Sequence, residues 1–158
     1  MTSASEIWKP HATVAAICEK QGRFLLVKEE INGEEVFNQP AGHVEPGESI
    51  EQAVIRETLE ETSYEFSPTG LCGIYRYIPD SGPEADANRT YLRFSFSGTV
   101  GECLNKPLDD GIICVEWMTL EEIKQSQSRH RSPMVLQCIL DYIEKPAYPL
   151  QIFSPDFL

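Results

Sequence analysis

The stretch from Gly42 to Tyr64 restricts the possible folds of this chain more than any other part. Two prolines and two glycines fall between Asn38 and Gly47, which predicts a loop. Ser49 then has the character of a helix N-cap, and Gln52 three residues later completes a capping box. We therefore predict a loop that passes directly into a helix ending near Thr62.

Short apolar stretches rich in β-forming residues surround this unit. We predict strands at Ala12–Cys18, Phe24–Val27, Val36–Phe37, Leu71–Ile78, Tyr91–Val100 and Ile112–Trp117. The pair Gln21-Gly22 suits a tight turn between the first two strands, and residues 81–88 form a polar connection. Thr119 with Glu122 predicts the start of a second helix, and Ser132-Pro133 predicts the start of a third.

The order of these elements indicates the fold class. Strands come before and between the helices without regular alternation, so we predict an α+β fold, an α/β/α sandwich with a mixed β-sheet between helices. One domain accounts for residues 1–158, with a core at about 9–145 and an extended tail from Pro146 onward. The last helix has a predicted apolar stripe at Val135, Leu136, Ile139, Tyr142 and Ile143.

The overall charge indicates which binding partners are compatible with the chain and says little about its fold. Net charge is −12, from 13 basic and 25 acidic residues, so the surface repels long nucleic acids. A small phosphorylated substrate is still compatible, because a bound divalent cation reverses the local charge. The alternative is that the acidity only aids solubility.

Cysteine usage and hydropathy bear on the compartment. The five cysteines are scattered and odd in number, which argues against a disulfide framework or a zinc site and favours buried thiols in a reducing environment. No apolar run approaches the ~20 residues of a membrane span, and Met1–Pro10 lacks the pattern of a secretory signal. We expect a cytoplasmic monomer without a membrane partner.

The predicted central helix carries three carboxylates on one face. Glu57, Glu60 and Glu61 have the three- and four-residue spacing of helical neighbours and fall within an arc of roughly 100°. Such like charges repel one another, and Arg56 offsets only part of the repulsion. A surface helix that happens to be rich in glutamate is the alternative explanation.

The helical wheel favours a site over a solvated face. Glu57 and Glu61 lie almost in line with Ile50 and Val54, so the carboxylates continue an apolar line and are expected at a crevice. A Mg²⁺ or Mn²⁺ ion would relieve their repulsion, since hard cations take oxygen ligands. It would also neutralise phosphate oxygens while one carboxylate acts as a base. Gly42 lets the preceding loop approach closely.

The same segment resembles the Nudix signature, G-x5-E-x7-R-E-U-x-E-E-x-G-U, in which U is a bulky apolar residue. The matching positions are Gly42, Glu48, Arg56, Glu57, Glu60 and Glu61. Thr58 replaces an apolar residue of the signature, and Ser63 replaces its final glycine. A left-handed serine there would cost roughly 1 kcal/mol.

The resemblance extends along most of the chain to the phosphatase NudJ group of bacterial Nudix proteins. Similar segments are Lys9-Pro10-His11, Ile31-Asn32-Gly33, the run from Asn38 to His43, Arg131-Ser132-Pro133 and Tyr148-Pro149-Leu150. This similarity implies an α/β/α sandwich and Mg²⁺ dependence. It also implies orthophosphate release from nucleoside di- and triphosphates and from hydroxymethylpyrimidine diphosphate.

Residue roles follow from the resemblance. It implies that Glu57, Glu60 and Glu61 bind the metal and supply the base and that the Gly42 carbonyl joins the metal ligands. It also implies that Arg56 orients the glutamates and that Glu48 has a similar supporting role. Asp109 and Asp110 are alternative sources of the base, or they simply form a turn before a glycine.

Substrate contacts are harder to assign from the sequence. We group Glu48, Phe37, Arg76, Arg93 and Asp110 as candidate substrate-binding residues, with Tyr75, Trp117 and Arg131 as further possibilities. The arginines would neutralise phosphates and the aromatic residues would stack on a ring, although surface exposure or core packing explains each of them as well. His11 and His43 receive no role.

Three other functions remain open. A pyrophosphohydrolase or a nucleoside-diphosphate-sugar hydrolase would use the same signature, because the signature acts only on the diphosphate. A non-catalytic nucleotide-binding regulator with this fold would usually have lost some of the glutamates. A calcium-binding protein is disfavoured, because the chain lacks the corresponding acidic loop.

Overall fold

The computed structural model describes residues 6–81, 85–86 and 88–156. Its strands are β1 His11–Ile17, β2 Glu19–Lys20, β3 Arg23–Ile31, β4 Glu34–Asn38, β5 Ala41–His43, β6 Tyr64–Tyr77, β7 Tyr91–Cys103, β8 Ile112–Thr119 and β9 Tyr148–Pro149. Its α-helices are α1 Ile50–Thr62, α2 Leu120–Gln125 and α3 Met134–Glu144, and short 3-10 turns cover Gln127–Arg129 and Leu150–Ile152. The predicted connection at residues 81–88 lies partly outside the described residues.

The strands form two sheets. The first has five strands in the order β5-β1-β7-β6-β9, in which β1 and β7 are parallel and the other pairs are antiparallel. The second is antiparallel, with β3 at its centre pairing with β2, β4 and β8. The predicted α+β class with a mixed sheet is therefore confirmed, and the strands divide into two sheets rather than one.

Side-chain alternation along β1 gives the first sheet two different faces. Val14 and Ala16 point towards α1 and form one core with Ala53 and Val54. Ile17 points the other way and forms a second core, which also contains Phe24, Phe37, Val135 and Ile139. Helices α1 and α3 thus pack on opposite faces of this sheet.

Capping hydrogen bonds fix the start of α1, the helix that carries the predicted cluster of carboxylates. The Ser49 hydroxyl accepts a hydrogen bond from the Gln52 N–H, and the Gln52 side chain accepts one from the Ser49 N–H, as the capping box predicts. The Thr119–Glu122 box is also confirmed. No helix within the described residues is long and apolar enough to cross a membrane.

Several sequence predictions were wrong in detail. Residues Ala41–His43, predicted as loop, form β5, because their backbone pairs with β1. The tail is not simply extended, since Tyr148–Pro149 adds a strand to β6 and a 3-10 turn follows. In the stripe of α3, Ile143 is exposed, whereas Cys138 and Asp141 are buried. Among the cysteines, Cys18, Cys72 and Cys138 are buried, Cys103 is exposed and Cys114 is partly exposed.

Candidate metal centre and adjoining cavity

Strand β5 and helix α1 meet at Gly42. Gly42 pairs with Val14 and therefore faces α1, where the carboxyl group of Glu57 lies directly against its α-carbon. A Cβ atom at this position would overlap that carboxyl group. The glycine is thus required by a close approach of side chain to backbone, which fits the role that the signature implies for it.

Arg56 holds the acidic side chains in fixed positions. Its Nε and Nη2 donate to the two carboxylate oxygens of Glu48 at 2.8 and 2.7 Å, and Nη1 donates to Glu57 at 2.8 Å and to Glu60 at 3.0 Å. Nη2 also donates to the carbonyl oxygen of His43 at 3.0 Å. The planar guanidinium group thus joins the loop, β5 and α1, and its hydrogen bonds lower the pKa of Glu48.

Three carboxylates converge at the other side of this network. Ligand oxygens of Glu57, Glu60 and Asp109 all lie within 4.8 Å of one another. Asp109 reaches the cluster from the loop before β8, because its backbone N–H donates to the Glu60 carbonyl oxygen at 3.0 Å. The sequence left open whether Asp109 or Asp110 joins the site, and the structure brings only Asp109 to the cluster.

Ser63 anchors the same loop to the end of α1. It adopts the left-handed conformation that the signature glycine would take, with φ 62°. Its hydroxyl oxygen accepts a hydrogen bond from the Lys106 N–H at 2.7 Å, and its carbonyl oxygen accepts one from the Leu104 N–H at 2.8 Å. These bonds offset the backbone strain of a left-handed serine.

Glu61 lies deeper than its neighbours. Its side chain is buried, and one carboxyl oxygen accepts a hydrogen bond from the Ala41 N–H at 2.8 Å. Burial raises the pKa of Glu61 to about 9, and the nearby charges of Glu29, Glu57 and Asp109 add to the increase. Burial also raises the pKa of Glu57, although Arg56 opposes this effect. Glu61 therefore borders the cluster of three without being one of its members.

The donor set suits a hard divalent cation. Carboxylate oxygens on a helix and on a facing loop, beside the edge strand β5, match the ligands that Mg²⁺ and Mn²⁺ prefer. Without a cation, the acids of Glu57, Glu60 and Asp109 have only Arg56 as an adjacent positive charge among the described contacts. A cation bound there would reduce their mutual repulsion.

A cavity of about 270 Å³ opens between the two sheets, next to the carboxylates. Its floor is the α3 side of the first sheet, where Thr13 pairs with both His43 and Arg93. Its wall and roof include Ala41 and Gly42 of β5, Glu29, Ile31 and Asn38 of the second sheet, and Arg131, Ser132 and Met134 before and at the start of α3. The cavity thus touches the backbone of Gly42 while Glu57 lies on its other face.

Aromatic residues line the mouth of this cavity. Tyr91 pairs with Tyr77 across the sheet, and the two rings are stacked with centroids 6.4 Å apart. His43 also lines the cavity, and its Nε2 lies 3.1 Å from Nδ1 of His11. No sequence pattern identified Tyr77, Tyr91 or His43 as cavity residues, although Tyr91 lies two residues before Arg93 on one strand and therefore on the same strand face.

Most of the predicted ring-stacking residues lie elsewhere. Phe37, predicted as a substrate residue, is 2% exposed and belongs to the core beneath α3, with Lys28 and Arg129 over its ring. The Tyr75 hydroxyl donates to Asp141 at 2.7 Å, and Trp117 packs edge-to-face on Tyr64. None of the three lines the cavity described above.

Of the charged residues predicted to contact the substrate, some line the cavity and others lie elsewhere. Arg93 and Arg131 line the cavity, whereas Arg76 is exposed on the face of β6 opposite to Tyr77. Both Glu48 oxygens bind Arg56, which agrees with the supporting role that the resemblance implies for Glu48, while its substrate contact stays a prediction. Asp110 is exposed and lines neither the cavity nor the carboxylate cluster.

Comparison with known proteins agrees with this geometry. The model of the NUDIX domain family matches residues 8–137. Phosphatase NudJ of Escherichia coli (strain K12) is 38% identical over 150 residues, which cover 94% of this chain and 93% of that protein, and phosphatase NudJ of Shigella flexneri matches to the same extent.

Solved structures are also similar. A NUDIX hydrolase from Nitrosomonas europaea has 46% sequence identity and a TM-score of 0.87, covering 94% of this chain and 98% of that chain. A MutT NUDIX hydrolase from Burkholderia pseudomallei is 18% identical with a TM-score of 0.69, covers 84% of this chain and 98% of that chain, and shares the fold.

Proposed function

The chain belongs to the NUDIX family, and from that premise we propose that it is a Mg²⁺-dependent phosphatase that releases orthophosphate from nucleoside di- and triphosphates and from hydroxymethylpyrimidine diphosphate. Its class, a hydrolase of phosphate anhydrides, follows from the family. The finer proposal draws on the relatives named phosphatase NudJ and on the convergence of Glu57, Glu60 and Asp109. That convergence is the observation on which it chiefly depends.

In this proposal Glu57, Glu60 and Asp109 hold Mg²⁺, together with the backbone carbonyl of Gly42, and Mn²⁺ is an acceptable substitute. When bound, the ion would supply charge neutralisation at the phosphate oxygens and would acidify a water molecule. Arg56 keeps Glu57 and Glu60 in place through its three hydrogen-bonded carboxylate partners. Glu61 adds a further acid, close enough to interact with Glu57 and Asp109.

The cavity would hold the ring-bearing part of the substrate. Stacked tyrosines and an imidazole at its mouth suit a planar heterocycle, and Ile31 and Met134 add apolar surface. Its volume of about 270 Å³ favours a single heterocycle over a large dinucleotide. Because the cavity touches Gly42, such a ring would lie next to the phosphates at the metal centre.

Product analysis across a small substrate panel tests the proposal. With Mg²⁺, we expect orthophosphate from hydroxymethylpyrimidine diphosphate, GDP and GTP, and little turnover of ADP-ribose. Pyrophosphate from GTP or 8-oxo-dGTP alone would make the enzyme a pyrophosphohydrolase. Preferred cleavage of a sugar nucleotide would make it a nucleoside-diphosphate-sugar hydrolase.

The Glu61→Gln variant is the matched control for this assay. Glutamine keeps an oxygen that can accept the hydrogen bond from Ala41, but it lacks the charge. We expect its turnover to fall by at least about a hundred-fold, in the range of lost acid–base groups. Nucleotide binding without Mg²⁺-dependent turnover in the native protein would instead favour a regulator.

A further inference from the structure

We propose that Arg93 forms a phosphate-binding subsite on the cavity floor, which holds the phosphate that stays on the product after hydrolysis. This inference rests on the proposed function, since it takes the ligand to be a phosphorylated heterocycle. It adds an anion site, distinct from the cation-binding carboxylate cluster on the other face of β5.

The first observation is a buried cation without a counter-charge. Arg93 is 5% exposed, and its guanidinium group donates to the neutral side chains of Gln39, at 3.0 Å, and Asn38, at 3.1 Å, and also contacts the Cys138 thiol. Its Nε has no hydrogen-bond partner within the described part of the chain. Buried charges in proteins are normally paired, because an unpaired charge loses its solvation without compensation.

The groups that face Arg93 from α3 do not supply the missing charge. Cys138 contacts Arg93, and burial raises the pKa of its thiol although Arg93 opposes this effect, so this side chain stays neutral. Asp141 is engaged by Tyr75, Gln137 and Lys145. Glu29, the acid that lines the same cavity, is paired with Arg131 at 3.9 Å. The anion that compensates Arg93 is therefore expected to come from a ligand.

The second observation is that Arg93 is held ready for such a ligand. Gln39 is 1% exposed and donates to the Val135 carbonyl oxygen at 2.6 Å, which fixes the amide oxygen that receives the bond from Arg93. Asn38 fixes the other terminal nitrogen. A guanidinium group has five N–H donors, so donors remain for a bidentate contact with phosphate.

The position of Arg93 selects the phosphate that it would bind. The cavity that Arg93 lines also touches Gly42, whose other face contacts Glu57 of the carboxylate cluster. Because the cavity would hold the heterocycle, the inner phosphate, which is bonded to it, would lie nearer to Arg93, and the outer phosphate would lie nearer to the carboxylates. The inner phosphate remains on the product when the anhydride bond breaks.

Binding of product and nucleoside without metal tests this directly. In EDTA, isothermal titration calorimetry would compare CMP with cytidine and AMP with adenosine, using the native protein. We expect at least one monophosphate to bind about 10- to 100-fold more tightly than its nucleoside, as charge-assisted hydrogen bonds to phosphate would predict. Arg93→Met should abolish that difference, and Arg93→Lys should restore part of it.

The outcomes separate this inference from its alternatives. Arg76→Met, which removes an exposed arginine on the opposite face of β6, should leave both dissociation constants unchanged. An equal loss of monophosphate and nucleoside binding in Arg93→Met would show that Arg93 contacts the ring, and would overturn the proposal. No preference for a monophosphate in the native protein would overturn it as well. Because the assay needs neither metal nor turnover, failure of the hydrolase proposal would appear separately, in the product analysis.

Discussion

The hydroxyl oxygen of Ser63 accepts a hydrogen bond of 2.7 Å from the backbone N–H of Lys106. Together with the bond from the Asp109 N–H to the Glu60 carbonyl oxygen, it fastens residues 104–109 to the end of α1. The departure of Ser63 from the signature glycine therefore carries a contact that a glycine could not make. Ser63 acts on the candidate metal centre only through the position of Asp109.

Replacing Ser63 should separate metal affinity from stability. Ser63→Ala loses the hydroxyl contact and keeps the left-handed strain, so we expect a lower melting temperature and about five-fold weaker Mn²⁺ binding, from a hydrogen bond worth roughly 1 kcal/mol. Ser63→Gly loses the contact but removes strain of about 1 kcal/mol, so its stability should stay close to native. Mn²⁺ titration followed by electron paramagnetic resonance, alongside thermal unfolding, would measure both quantities. Native Mn²⁺ affinity in both variants would show that the loop holds its position without Ser63.

The two neighbouring aspartates provide a matched pair. Asp109→Asn removes a member of the carboxylate cluster. We expect Mn²⁺ to bind at least about ten-fold more weakly, because even the loss of a side chain that only hydrogen-bonds to a metal ligand reduces metal affinity by about that factor. Asp110→Asn changes an exposed side chain outside the cluster and should leave the affinity unchanged. The same Mn²⁺ titration decides between them, and equal affinities in the two variants would remove Asp109 from the site.

The sequence predicted this centre as far as local patterns reach. The capping box at Ser49 and the spacing of Glu57, Glu60 and Glu61 depend on residues within one helix, so their prediction was confirmed for the helix and its caps. Asp109 could not be separated from Asp110, because the choice depends on a backbone bond to Glu60, far away in the sequence. Hydrophobic patterning does not predict a backbone hydrogen bond between residues so far apart in the sequence.

The cavity was predicted less well for the same reason. Phe37 is aromatic and could therefore stack on a ring, but it is buried because it packs in one core with Val135 and Ile139 of α3. Tyr77 and Tyr91 meet only through the register between β6 and β7. Arg93 lines the cavity floor, yet the sequence did not distinguish it from the exposed Arg76.

Arg56 should not tolerate substitution by lysine. Lysine would keep the positive charge but lose the planar fork that binds both oxygens of Glu48 while also reaching Glu57 and Glu60. We expect kcat of Arg56→Lys to fall by about 10- to 100-fold, the effect of losing a group that orients metal ligands. Steady-state phosphate release would measure it, with Arg76→Lys as the exposed control. Native turnover in Arg56→Lys would mean that charge alone holds the glutamates.

Glu61 should make the metal-free protein less stable as the pH rises. Its pKa is raised to about 9 in the folded protein, whereas an unfolded glutamate titrates near 4.5, so the folded state binds the proton more tightly. The contribution of Glu61 to the free energy of unfolding is therefore fully present below pH 4.5. It decreases as the pH rises from 4.5 to about 9, and it stops changing once the carboxyl is ionised in both states. Glu61→Gln cannot ionise and should lack this contribution.

The difference in melting temperature between the native protein and Glu61→Gln separates the effect of Glu61 from that of all other titrating groups. In EDTA, we expect the melting temperature of the native protein to drop between pH 6 and pH 9 more steeply than that of Glu61→Gln, because only the native protein must bury a new charge as the carboxyl loses its proton. Mg²⁺ at the upper end of this range should raise the melting temperature of the native protein more than that of the variant, since the cation compensates the ionised carboxylate. Parallel melting curves across the pH range would instead mean that Glu61 is already ionised in the metal-free fold.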